Sequence, residues 1–144
     1  MKIILFLMAV LLISETCLGQ AKSPCISTPD LLDGIKVAKL ADVMPEYPGG
    51  QRQMLIDIKK QFKYPQEQQQ VQEKVDVTFV IDTLGNVRNV CINHPFSPGT
   101  VTPVEESIER ILMSMNNWTP GRTKGKKIPV RMMLPIIIEP KQDR

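Results

Sequence analysis

The sequence predicts an α+β domain in which two helices pack on one face of a three-stranded antiparallel sheet, with an extra N-terminal strand as an option. Three observations carry this expectation. Residues 75–81 alternate in side-chain type with a period of two, the mark of a strand with one buried face. Residues 54–62 and 104–115 repeat apolar positions every three to four residues, the spacing of amphipathic helices. Turn-forming residues separate each run from the next, so consecutive elements fold back on one another.

Met1 and Lys2 give a short positive start, and Ile3 to Ile13 follow as an unbroken apolar run. That run is about half of the roughly 20 residues that a spanning helix needs. Ser14, Glu15 and Thr16 end it, and Cys17-Leu18-Gly19 set small residues at the −3 and −1 positions of a cut before Gln20. Residues 1–19 are therefore expected to be a cleaved export signal. An inner-membrane anchor formed by residues 3–13 is the competing expectation. Residues 20–42 read as a tail or short linker, 43–139 as the domain, and 140–144 as a closing tail.

Within the domain region, Ile35 to Val43 is read as a strand of imperfect alternation. Met44-Pro-Glu-Tyr-Pro-Gly-Gly50 is a turn, since prolines fix φ and glycines free it. Met54, Leu55, Ile58 and Phe62 share the apolar face of the first helix, which stops at Lys63-Tyr64-Pro65 because the residue before proline leaves the α region. Gln66 to Glu73 is expected to be a short polar helix. Val75, Val77, Phe79 and Ile81 face inward on the strongest strand, and Asp82-Thr-Leu-Gly-Asn86 turns the chain with Gly85 free to take positive φ. The return strand, Val87 to Ile92, sets Val90 and Ile92 inward and Cys91 outward; His94 to Gly99 breaks it. Thr102, Pro103 and Glu105 spell a capped start for the second helix, which Asn116-Asn117 end. The last strand, about Ile128 to Ile138, sets Val130, Met132, Leu134, Ile136 and Ile138 to one side. Pro129 and Pro135 cannot donate to a ladder, so this strand is expected at a sheet edge.

The formal charge of +3, from 18 basic and 15 acidic residues, is mild. The one basic cluster, Arg122-Thr-Lys-Gly-Lys-Lys127, contains a glycine and reads as a solvated turn, so no nucleic acid is expected as partner. Two cysteines, Cys25 and Cys91, remain after signal removal, and an exported chain permits a disulfide between them. With the lone His94 they supply no zinc-ligand spacing, so neither metal nor cofactor is expected. Cys91 and His94 form the one pair resembling a nucleophile and base, and no third group orients them. Glu105, Glu106 and Glu109 are assigned to the polar face of the second helix. Gly49-Gly50 lacks the lysine of a phosphate loop. The expectation is a binding domain without catalytic residues, and the apolar edge strand is its candidate surface, because an edge can accept an extended peptide.

Met44-Pro-Glu-Tyr-Pro-Gly-Gly50, Lys63-Tyr64-Pro65, the Val75-to-Ile92 hairpin with Gly85, Trp118-Thr-Pro-Gly121 and Gly125-Lys-Lys-Ile-Pro-Val130 to Leu134-Pro-Ile136 come in a distinctive order. In that order the chain resembles the C-terminal domain of the TonB energy transducers, in the form common in Bacteroidetes, over roughly residues 43–139. The resemblance implies a periplasmic module that captures a TonB box-like extended segment of an outer-membrane β-barrel transporter and supports energised transport. It also implies inner-membrane motor proteins as further partners. Carried over by position, the partner-binding residues are Gln61, Tyr64, Val130, Arg131, Met133, Pro135 and Ile137. The sequence departs from the family before the domain, where a long Pro-rich spacer is expected. It departs again at Gln68 and Glu73, and at His94 to Val101, which replaces an acidic segment. The alternative is therefore a free-standing periplasmic protein-interaction domain on the same scaffold with no transducing role. A homodimer is left open, because open edges also pair with copies of themselves.

Overall fold

The computed structural model describes residues 29–64, 73–93 and 101–139. They hold β1 (Leu31–Leu32), β2 (Ile35–Lys36), α1 (Gly50–Gln61), β3 (Glu73–Ile81), β4 (Val87–Asn93), α2 (Pro103–Ser114), β5 (Arg122–Thr123), β6 (Lys126–Lys127) and β7 (Val130–Ile138). The architecture is mixed α+β, with two helices and antiparallel sheets among the described residues. The largest sheet has the order β4-β3-β7, with β3 central and β7 at an edge.

The period-two pattern of β3 explains its position. Val75, Val77, Phe79 and Ile81 are all buried and meet Leu134, Ile136 and Ile138 of β7, Met54 and Ile58 of α1, and Val104, Ile108 and Leu112 of α2 in one cluster. Burying side chains of this kind stabilises the fold by about 1.5–3 kcal/mol each. Trp118 closes the cluster: its ring stands edge-on to Phe79 and Tyr47, and its indole N–H donates to the Met115 carbonyl at 2.9 Å.

Asp82 builds the β3–β4 turn. Its carboxylate accepts from the backbone N–H groups of Leu84 and Asn86, both at 2.9 Å, and lies 3.7 Å from the Arg88 guanidinium. Gly85 takes φ +85°, and the Trp118 N–H donates to its carbonyl at 3.0 Å. A Cβ at Gly85 would stand 2.0 Å from the Trp118 carbonyl oxygen, so the glycine serves close approach as well as the turn. In β4, a register shift opposite Thr78–Val80 accompanies Asn89 at φ +49°. This bulge lets Val87 and Val90, three residues apart, both pack on the core.

The α2 cap forms as expected. Thr102 Oγ1 accepts from the Glu105 N–H, and the Glu105 carboxylate accepts from the Thr102 N–H at 2.7 Å. Glu105 is consequently buried, not solvated with Glu106 on the polar face, because the capping box folds its side chain back onto the chain. The helix ends at Ser114, before Asn116-Asn117, and Met115 drops into the core instead. Helix α1 ends at Gln61, with Phe62 already extended; Leu55, expected inward, is 39% exposed.

The N-terminal region differs from expectation. Ile35 to Val43 is not one strand: Asp33 and Gly34, at φ +51° and +78°, turn β1 into β2. A single parallel bridge then joins Ala38 to Val130, and Val43 and Glu46 bridge antiparallel to Arg122 and Thr119. Residues from Pro29 onward are thus packed on the domain. Arg131, which lies opposite Val80 on β3, donates to the Pro29 carbonyl and the Asp30 carboxylate, both at 3.0 Å. The sheet face away from the cluster is accordingly covered at this end: Val80 and Cys91 are fully buried, and Thr78 nearly so. The short helix expected within 66–73 lies outside the described residues except for Glu73, which belongs to β3. Residues 1–28 and 140–144, with the expected signal and closing tail, also lie outside them, as do His94 and the segment to residue 100.

Candidate functional site

Strand β7 pairs with β3 from Val130 to Ile138 along one side only. On its other side, the Arg131 N–H donates to the Ala38 carbonyl at 2.8 Å, and the Ala38 N–H donates to the Pro129 carbonyl at 2.9 Å. Backbone groups in a strand alternate in direction, so those of residues 133, 135 and 137 point the same way as those of Arg131. Beyond Ala38, no described strand pairs with this outer side. Pro135 sits where its missing N–H would face outward, as a proline in an edge strand must.

Side chains alternate along β7 as well. Leu134, Ile136 and Ile138 enter the core, while Met133 and Ile137 are 73% and 61% exposed on the opposite face. Two clefts lie between β7 and α1. One, of about 280 Å³, is walled by Leu55, Ile58, Phe62, Ile108, Ile136 and Ile138, with Lys59 and Glu139 at the same opening. The other, of about 230 Å³, is walled chiefly by Pro45, Tyr47, Met54, Trp118, Met132 and Leu134. Tyr47 donates its hydroxyl to Asp57 at 3.1 Å, and Gln53 donates to the other Asp57 oxygen at 2.8 Å. Burial, then the hydrogen bond and negative charge of Asp57, hold the Tyr47 phenol above its ordinary value. The arrangement offers directed backbone groups beside apolar hollows, the chemistry of strand addition.

The residues singled out from sequence do not all meet at this edge. Met133, Pro135 and Ile137 do. Val130 is fully buried, and Arg131 spends its guanidinium and N–H on the N-terminal segment, so neither presents a free side chain. Gln61 lines a shallow hollow with Lys63, Ser107 and Arg110 on the α2 side of α1. Tyr64 is half-buried against the core, with its ring edge-on to Phe62 at 5.2 Å, and does not itself line the larger cleft. Sequence reading missed Tyr47, Leu55, Lys59 and Phe62 as cleft residues. Their nearness to β7 depends on how α1 crosses the sheet, which periodicity along one helix does not encode.

Cys91 is disulfide-bonded, and its partner lies outside the described residues. Among the described residues no group of three or more His, Cys, Asp or Glu side chains could hold a metal ion. No helix among them is long and apolar enough to cross a membrane. No family model and no curated protein matches this sequence.

Proposed function

We propose that this chain is a periplasmic, TonB-like binding module that captures an extended segment of an outer-membrane transporter by adding it to the outer side of β7, in support of energised transport. The observation that carries the reading is the exposed edge of β7 lying directly beside two apolar clefts. An added strand would place alternate side chains over those clefts and its backbone against Met133, Pro135 and Ile137.

On this reading the fold is the TonB arrangement, with both helices layered on one face of the three-stranded sheet. Side chains of both helices sharing one cluster with the inward residues of β3 and β7 support it. So does the meeting of two of the motifs that carry the resemblance: Glu46 and Thr119 exchange backbone hydrogen bonds at 3.1 and 2.8 Å, and Val43 and Arg122 beside them do the same. Gly121 is required at this junction, since a Cβ there would lie 2.5 Å from Val130.

The test is capture from detergent-solubilised outer membranes, with captured chains identified by mass spectrometry. Enrichment of β-barrel transporters, lost when their soluble plug segments are added, is the expected result. Capture of soluble proteins alone would remove the transport role and favour a free-standing interaction domain.

A further inference from the structure

We infer that Pro135 and the N-terminal segment ending at Ala38 fix the register in which an extended peptide adds to β7; this rests on the strand-capture reading. The outer side of β7 offers one N–H at every second residue, namely 131, 133, 135 and 137. The first is already given to the Ala38 carbonyl at 2.8 Å, and the third does not exist, because residue 135 is proline. Among the described residues two donors remain, Met133 and Ile137, four residues apart, with the carbonyls of Met133, Pro135 and Ile137 as acceptors between and beside them.

A ladder of this form is not uniform along its length. A peptide binding in register gives carbonyls to Met133 and Ile137, and leaves the carbonyl facing Pro135 without a donor. Sliding the peptide by two residues toward the start of β7 runs it into Ala38, which two backbone hydrogen bonds and the Arg131 contacts with Pro29 and Asp30 hold in place. Sliding the other way gives up the Met133 end of the ladder. Sliding by one residue turns every side chain to the wrong face. In the permitted register, residues opposite Met132 and Leu134 lie over the smaller cleft, and those opposite Ile136 and Ile138 over the larger. The ligand class is therefore a short extended peptide with apolar residues at alternate positions, read over a window from Met133 to Ile137.

The probe is a Lys-flanked peptide of alternating Val and Thr, titrated into the full chain as its host processes it, with residue-resolved amide exchange and an affinity as readouts. Protection is expected to rise at the Met133 and Ile137 amides and to stay unchanged at Arg131. Pro135→Ala restores one donor and is expected to bind roughly two- to tenfold more tightly, the effect of about one hydrogen bond. New protection at Met133 and Ile137 with no gain in P135A overturns the register proposal and leaves strand capture standing. A footprint that starts at Arg131 by displacing Ala38 does the same, and needs no variant. No binding, or binding without protection at either amide, overturns strand capture and this proposal with it.

Discussion

At Gly85, turn geometry and tertiary packing make the same demand. Its φ of +85° and the 2.0 Å approach of the Trp118 carbonyl to a Cβ built there mean that Gly85→Ala cannot be relieved by a side-chain rotation. We expect that variant to lose at least about 2 kcal/mol, measured as a lower denaturant midpoint, since left-handed strain and a backbone clash add. Tyr47 gives a spectroscopic prediction. Its folded value is raised, so its contribution to stability is complete below the ordinary tyrosine value and is lost as pH climbs through the raised one. Phenolate absorbance should show a late-titrating component that Tyr47→Phe removes. At this scale the sequence was informative where chemistry is local: Gly85 in its turn, and Thr102 with Glu105 as a capping box, could be read directly. The burial of Glu105 could not, because three glutamates near one helix start look alike until a backbone donor selects one of them.

For the individual elements, β7 shows most clearly what a period of two can and cannot determine. Its inward set follows from alternation alone, and Leu134→Ala should cost about 2–5 kcal/mol, while Met132→Ala should cost less because that side chain is only partly buried. Thermal melting of the two variants checks both the direction and the order. Met133→Pro removes one of the two outward donors and should weaken peptide capture roughly two- to tenfold; undiminished capture would place the ligand elsewhere. The edge position of β7 was legible from Pro129 and Pro135. One other feature was hidden for an identifiable reason. Asn89 inserts a bulge that breaks strict alternation in β4, and such a shift leaves no composition signature beyond an asparagine. Asp33-Gly34, by contrast, is a recognisable two-residue turn between Leu31-Leu32 and Ile35-Lys36, which the reading of residues 20–42 as a tail passed over.

Across the whole molecule, the N-terminal segment changes how the domain is bounded. Residues read as a tail close the start of the β7 edge through Ala38 and lie across one end of the outer sheet face through Pro29 and Asp30. The disulfide at Cys91 sits on that same face, opposite Thr78. With Cys17 expected to leave with the signal, non-reducing peptide mapping should find Cys25 joined to Cys91. Its reduction should lower stability by about 2–4 kcal/mol and speed amide exchange at Val37, whose N–H donates to the Asp30 carbonyl. Sequence alone leaves coverage of this edge by residues 35–43 and an open edge as alternatives, because the closure depends on long-range contacts between positions roughly a hundred residues apart.

On the proposed reading the outer side of β7 meets the transporter, and cross-linking from defined positions can test it. A photoreactive residue would replace Ile137, exposed at the open edge, or Arg110, exposed on α2. Cross-links to a β-barrel transporter from position 137 and not from position 110 are the predicted result. Transporter cross-links from position 110 alone, or none from position 137 while capture persists, would contradict it.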